Sequence, residues 1–193
     1  MLDEAGLVSQ MAVLTKLEST REAFRSDVLA ELLLGMVSAK GKAVLVRGLV
    51  FRLAVPIEVF MSVCGEVEIE RSISLGLLEM MLEKTVRVSR VLPLVEPDDE
   101  QLAMVAVREI YRVWYQETET STEEQKLEIH RLAMAAKNGE IAGTIANSVA
   151  NQWVKKSRYK ETVDLCQSTA EISNNPRFLH EFAIAEKNLR NPV

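Results

Sequence analysis

Residues 35–43 are the part of the chain that comes nearest to a nucleotide-binding motif. A phosphate-binding loop has four residues between its glycines, so that backbone N–H groups surround the phosphates, and a hydroxyl residue after its lysine to hold magnesium. Here five residues separate Gly35 from Gly41, and Ala43 follows Lys42 where the hydroxyl would stand. The stretch also follows a predicted helix rather than a strand. We therefore interpret it as the solvated start of a helix.

The histidines and cysteines do not form a recognisable metal-binding or nucleophilic group. His180 and Glu181 begin like the zinc-binding helix of a metalloprotease, but an isoleucine stands where the second histidine ligand would be. His130 is the only other histidine, and we expect both to be half-buried helix residues. Cys64 and Cys166 lie far apart in apolar stretches, which predicts buried free thiols. The sequence therefore indicates no metal and no cofactor.

Carboxylates are numerous, but none lies on a loop that would place it in a cleft. Glu68 with Glu70, and Glu123 with Glu124, lie in predicted helices, where carboxylates ordinarily form solvated faces. The chain has neither a serine-nucleophile elbow nor a cysteine and histidine pairing. The sequence therefore predicts a protein that is not an enzyme.

The overall composition is that of a globular protein, with 48% hydrophobic and 26% charged residues among 193. The net charge is −5, so no overall positive field attracts nucleic acid. No run of 18 apolar residues occurs, and the first residues lack the positive start of a secretory signal. We expect a cytoplasmic protein with no membrane partner.

Residues 139–176 carry the most regular pattern in the chain. Apolar residues recur there at three- and four-residue spacing, which predicts two amphipathic helices joined by a tight turn. Small residues let the two backbones approach, while Trp153 and Tyr159 fill the space near the turn. The pair resembles one tetratricopeptide repeat (TPR). The positions that carry the resemblance are Val149, Ala150, Trp153, Tyr159, Thr162, Cys166 and Thr169.

A second observation favours a repeat array over an ordinary helical hairpin, which is the alternative. Leu179, Phe182 and Ala183 repeat the pattern found 33 residues earlier, close to the TPR period. Phe182 and Ala183 are therefore predicted to be packing positions of a following repeat. Five helices joined by short turns are predicted beyond residue 97, which favours antiparallel neighbours and a solenoid.

The pattern between residues 38 and 96 is different. Three short helices are predicted, beginning at Ser38, Pro56 and Val67, and two strands follow at residues 77–80 and 85–88. Three helices followed by a two-stranded ribbon is the order of a winged helix.

The third of these helices is unsuited to DNA. It begins with Glu66, Glu68 and Glu70, and its one cation is Arg71. Recognition requires cationic and amide side chains that reach base edges between phosphates. Three carboxylates would instead be repelled, so nucleic acid is not an expected partner.

The run Glu-Pro-Asp-Asp at residues 96–99 is the clearest boundary in the chain. Asp98 and Gln101 are predicted to form a capping box for the helix beyond it. The fold class is thus predicted to be mainly α, with a small two-stranded β wing. The predicted divisions are lid-like N-terminal helices (1–37), a winged-helix domain (38–96) and a TPR-like helical repeat domain (97–193).

Residues 46–56, 75–79 and 86–94 are similar to a segment of the STAND signalling ATPases. In that family a nucleotide-binding domain precedes a winged helix and tetratricopeptide repeats. The resemblance covers residues 20–193 and implies a fragment or stand-alone relative that lacks the ATPase core. The family's winged helix contacts nucleotide through the histidine of a Met-His-Asp motif, which this chain lacks. Arg90 lies near that place and is the candidate nucleotide-facing residue.

The resemblance implies a regulatory and protein-protein interaction module. Its winged helix would relay the state of an adjoining ATPase domain, and its repeats would bind a protein partner. The relay would be a shift between two packings about the joint at residues 96–98. Self-association to a homo-oligomer is left open. The alternative is a transcription regulator with a DNA-binding winged helix and a helical-repeat sensor domain.

Overall fold

The computed structural model describes residues 28–81, 84–118 and 120–190. Within these residues the chain is mainly helical and carries one three-stranded antiparallel sheet. The predicted mainly α class is therefore confirmed. Most of the predicted N-terminal helices lie outside the described residues. Of that range, 1–37, only residues 28–37 are described, and residues 28–35 are helical (helix α1).

The remaining elements follow in chain order. The helices are α2 (Ala39–Gly48), α3 (Ile57–Cys64), α4 (Ile69–Ser74), α5 (Glu100–Tyr111), α6 (Glu123–Ala135), α7 (Gly139–Lys155), α8 (Tyr159–Ala170) and α9 (Pro176–Arg190). A π-helical turn, Arg112–Gln116, extends α5. The strands are β1 (Val55–Pro56), β2 (Leu78–Met80) and β3 (Thr85–Val88).

Local capping chemistry sets the ends of the helices in the first half. The hydroxyl of Ser38 accepts the Gly41 N–H and begins α2, as the sequence predicts. Gly65 ends α3 with a φ of 105°, a conformation that favours glycine. The start predicted for the third helix, Val67, is wrong. Glu68 has a left-handed φ of 58°, so helical geometry begins only at Ile69.

The sheet has one strand more than the predicted two-stranded ribbon. β2 and β3 pair as predicted, with Glu79 opposite Arg87, but β1 pairs with the other edge of β3 and gives the order β1-β3-β2. The sequence placed Pro56 in the first turn of a helix. Pro56 instead lies in β1, an edge strand, where a missing N–H is tolerated. A strand of two residues has no periodicity from which to predict it.

In the second half, capping side chains mark where α5 and α6 begin. Asp99, and not the predicted Asp98, caps α5, because its carboxylate accepts the N–H groups of Gln101 and Leu102. The sequence before α6 offers two capping boxes, Thr122 with Gln125 or Ser121 with Glu124, and the first of them is present in the structure. Each helix from α5 to α9 packs on the next one along the chain, and α7 also packs on α9.

One continuous cluster of buried apolar side chains runs from Ala30 in α1 to Phe178 in α9. It crosses the boundary predicted at residues 96–99, because α3 of the first half packs directly on α5 of the second. Phe51 and Phe60 lie at its centre in the first half, with their ring centroids 6.5 Å apart. The two halves therefore share a core.

The first prediction concerns Gly139, the first residue of α7. A Cβ at this position would lie 2.1 Å from the carbonyl oxygen of Ile172 in the α8–α9 connection. Gly139→Ala should therefore lower the free energy of unfolding by about 1–3 kcal/mol, as overpacking does. A Cβ on Gly35 would meet nothing within 4 Å, so Gly35→Ala in helix α1 should cost nothing and should raise the free energy of unfolding by up to about 1 kcal/mol. Urea unfolding measures both, and equal effects would contradict the assigned packing.

Candidate interaction surfaces

The residues predicted to pack like a TPR hairpin lie in α7, α8 and α9. Those that are buried are Val149, Ala150, Trp153, Thr162, Cys166 and Thr169. Tyr159 and Phe182 are partly buried. Ala183 is exposed, so its assignment as a packing position is wrong. The α7–α8 hairpin thus has a packed seam at the predicted positions, whereas α9 does not repeat it in the predicted register.

The register of α9 is set by the connection that precedes it. Its buried residues are Phe178, Glu181 and Ala185, while Leu179 is 41% exposed. The connection passes close to α7 at Gly143, which has no Cβ. A Cβ at that position would lie 2.5 Å from the Ser173 hydroxyl oxygen. That close crossing fixes how α9 is rotated about its axis. The 33-residue period predicts only spacing and carries no information about such a crossing.

A buried polar contact joins α6 to α8. His130 Nε2 lies 2.8 Å from the Thr169 hydroxyl, which also lies 2.7 Å from the Leu165 carbonyl oxygen. Because the hydroxyl has one proton to give to the carbonyl, we assign the proton of this contact to His130 Nε2. Burial lowers the pKa of His130 to about 4, so the ring is neutral. His130 is therefore buried and His180 exposed, and the prediction that both are half-buried is wrong.

The two cysteines are free and buried, as the sequence predicts. Burial raises the pKa of each thiol to about 12. The nearby Glu181 carboxylate adds to the effect at Cys166, whereas the Arg47 charge partly opposes it at Cys64. Thiols so hard to ionise are poor nucleophiles and poor metal ligands, so both act as core residues.

The turn between α7 and α8 holds a charged cluster that sequence reasoning missed. The guanidinium of Arg158 lies 4.3 Å from the centre of the Trp153 ring. It also donates to Glu123 at 2.6 Å and to Glu161 at 3.1 Å. The hydrogen bond from Arg158 holds the pKa of Glu123 below its usual range. This cluster ties the start of α6 to the α7–α8 turn.

A second charged cluster joins the first half of the chain to α6. The carboxylate of Glu128, which is buried, accepts the backbone N–H of Arg52 at 2.7 Å and the guanidinium of Arg131 at 2.8 Å. Arg131 also donates to the carbonyl of Val50. Glu96 lies on the exposed side, 3.5 Å from Arg131 and 3.8 Å from Arg52. A cavity of about 280 Å³ opens beside them, under residues 96–100.

Arg90, the candidate nucleotide-facing residue, follows β3. Its side chain is exposed, and its Nη2 donates to the carbonyl oxygen of Phe51 at 2.7 Å. It is not among the residues that line the 280 Å³ cavity. The contact with Phe51 holds Arg90 at the surface, close to where the first half meets α6.

Apolar side chains cover one outer face of the first half, which we call the N-terminal apolar surface. Val28, Leu29 and Leu32 of α1 are exposed, and so is Met36 in the turn that follows. Val91 and Val95, in the segment after β3, are 70% and 82% exposed. Leu29 and Val91 line the same cavity, of about 150 Å³, which shows that α1 and this segment are neighbours.

Neither a metal-ligand cluster nor a membrane-spanning helix is found in the part of the chain that the structure describes. Among residues 28–81, 84–118 and 120–190, no three histidine, cysteine or acidic side chains are grouped as metal ligands. No helix in those ranges is both long and apolar enough to cross a membrane. Comparison of the chain with protein families, with characterised proteins and with solved structures finds no match.

The second prediction is a pH dependence caused by His130. Its pKa is about 4 in the folded protein and about 6.5 when unfolded, so the unfolded chain binds more protons between these values. The free energy of unfolding should be at its full value above about pH 6.5 and fall by about 3 kcal/mol as the pH drops toward 4.

Urea unfolding at several pH values between 7 and 4.5 measures this slope. The variant His130→Gln should lose most of it, because an amide can still donate to Thr169 but does not titrate. The matched control His180→Gln changes an exposed histidine and should keep the slope. Equal slopes in the two variants would show that His130 is not its source.

The third prediction compares two glutamates of the junction. Glu128→Ala should lower the free energy of unfolding by about 2–4 kcal/mol, because it leaves the Arg52 N–H and the Arg131 guanidinium without a buried acceptor. Glu96→Ala removes exposed ion pairs only and should cost less than about 1 kcal/mol. Denaturant unfolding gives both values, and a larger loss at Glu96 would contradict this account of the junction.

Proposed function

We propose that the chain is a non-catalytic regulatory and protein-protein interaction module of the STAND signalling type. In this proposal the winged-helix-like first half relays the state of an adjoining ATPase domain, and the TPR-like helices of the second half bind a protein partner. The observation that carries the proposal is the N-terminal apolar surface, because exposed apolar side chains of α1 and of the segment after β3 lie side by side there.

The spacing along α1 supports an interface there. Val28 and Leu32 are four residues apart in α1, so they share one face, and Leu29 widens it. Leu32 is 63% exposed, although a leucine gains about 1.5–3 kcal/mol when it is buried. Contiguous exposed apolar surface marks sites of protein interaction. In the STAND arrangement this face would pack on the ATPase domain.

The packing of α7, α8 and α9 supports the second part of the proposal. α7 contacts both its hairpin partner α8 and the next helix, α9. In a repeat array, the first helix of each repeat packs in this way on its own partner and on the following repeat. The exposed Arg90 would serve as the phosphate-facing group if the adjoining domain carries the nucleotide.

Site-specific photocrosslinking tests the proposal. A benzoylphenylalanine placed at Leu32, on the N-terminal apolar surface, should yield one discrete adduct in the cells that make the protein. Mass spectrometry of that adduct should identify a polypeptide with a nucleotide-binding domain. The same amino acid at Arg108, an exposed position of α5, serves as the control. Equal background at the two positions, or an adduct without such a domain, would overturn the proposal.

The fourth prediction separates this module from the DNA-binding regulator that is its alternative. Glu66, Glu68 and Glu70 lie just before or in the first turn of α4, the third helix of the predicted winged helix, where a duplex would dock. We expect no binding of a random-sequence duplex in fluorescence anisotropy at about 50 mM salt. Micromolar affinity that falls steeply with added salt would instead favour the regulator.

A further inference from the structure

A groove between α3 and α4 is not used by the proposed function. It has a volume of about 470 Å³, within the range of sites that accept ligand side chains. We call it the α3–α4 groove. Its lining residues are Ile57, Met61, Glu66, Glu68, Ile69, Glu70 and Arg71. The floor is thus apolar, and most of the rim is acidic.

The charges on the rim are largely uncompensated. Glu66 and Glu70 are exposed, and none of the ion pairs in the described part of the chain involves them. Arg71 is the one cation among the described residues that line the groove. An apolar floor inside such a rim favours a ligand that is both apolar and cationic.

The rim is also held in place by the fold. Glu68 has a left-handed φ of 58°, which is unfavourable for a residue with a Cβ. Its carboxylate accepts the backbone N–H of Ser38 at 2.8 Å, and hydrogen bonds from Ser38 lower its pKa. This approach requires Gly41, because a Cβ there would lie 2.3 Å from the Glu68 oxygen. The glycine that suggested a phosphate loop thus serves to position a carboxylate.

The same bend leaves an apolar residue beside the acidic rim. Val67, between Glu66 and Glu68, is 42% exposed. Strained backbone conformations persist where the surrounding structure fixes them, and they cluster at binding sites. The groove is therefore a preformed, acidic and apolar surface with no occupant in the described chain.

We infer that the α3–α4 groove binds a positively charged amphipathic segment of a partner protein. Apolar side chains of that segment lie on Ile57, Met61 and Ile69, and its lysine or arginine side chains lie against Glu66 and Glu70. Helix-in-groove recognition of this kind uses apolar anchors at three- and four-residue spacing, with specificity from the flanking charges. A nucleic acid is the wrong occupant, since its phosphates would meet the same carboxylates.

Selection from a display library of random 16-residue peptides tests the inference on the whole protein. Enriched peptides should carry apolar residues at three- and four-residue spacing, flanked by lysine or arginine. An enriched peptide is then labelled and its affinity measured by fluorescence anisotropy. The double variant Glu66→Lys, Glu70→Lys should weaken binding by at least about tenfold, and added salt should weaken it further in the unchanged protein.

The control variant Asp164→Lys, Glu171→Lys makes the same change in net charge at exposed positions of the α8 region. It should change the affinity by less than about twofold, because screening weakens charges that are remote from the groove. The variant Met61→Gln keeps the rim and makes the floor polar, so it should also weaken binding. Circular dichroism establishes that each variant is folded.

Several results would overturn the inference: no enriched peptide, enriched peptides without cations, or equal losses in the two double variants. Light scattering of the protein alone tests whether a second copy of the chain occupies the groove instead. If the protein forms dimers that Glu66→Lys, Glu70→Lys dissociates, the occupant is a second copy and the inference is wrong. None of these results depends on the crosslink at Leu32, so the inference and the proposed function can fail separately.

Discussion

The structure depends on one buried carboxylate. Glu128 of α6 accepts the backbone N–H of Arg52, 76 positions earlier in the chain, and orients Arg131, which in turn donates to the Val50 carbonyl. These contacts satisfy backbone groups of the segment between α2 and β1, where no strand or helix partner is available to them. They also place α6 against the first half of the chain. The apolar core can therefore continue through the joint at residues 96–99.

Local chemistry explains which parts of the fold could be predicted from the sequence. Ser38, Gly65 and the Thr122 capping box act within a few residues, so the sequence predicts the ends of α2, α3 and α6. The strands β2 and β3 could also be predicted, because they are close in the chain and pair directly with each other. The cap predicted for α5 is wrong by one residue because Asp98 and Asp99 are chemically equivalent. Only the path of the backbone decides which of them caps the helix.

The features that the sequence did not reveal depend on long-range contacts. In the sequence, Glu128 is indistinguishable from the other carboxylates of predicted helices. Its role depends on the Arg52 N–H, which only the folded chain brings to it. The exposure of Ala183 follows from the crossing over Gly139 and Gly143, which a repeat period does not encode. The sequence shows that the carboxylates at the start of α4 are unsuited to DNA. Their apolar floor is contributed in part by Ile57 and Met61 of a different helix, so it could be found only in the structure.

The same contacts limit how a signal could pass between the two halves. A rotation about residues 96–98 breaks the exposed pairs of Glu96 at little cost, but it also separates Glu128 from the Arg52 N–H and Arg131 from the Val50 carbonyl. Buried charged groups without partners are costly, so intermediate positions are disfavoured. A relay through this joint must therefore either move both halves as one body or pass to a second arrangement in which Glu128 has new donors. The N-terminal apolar surface and the α3–α4 groove both belong to the first half, so such a transition would move them together.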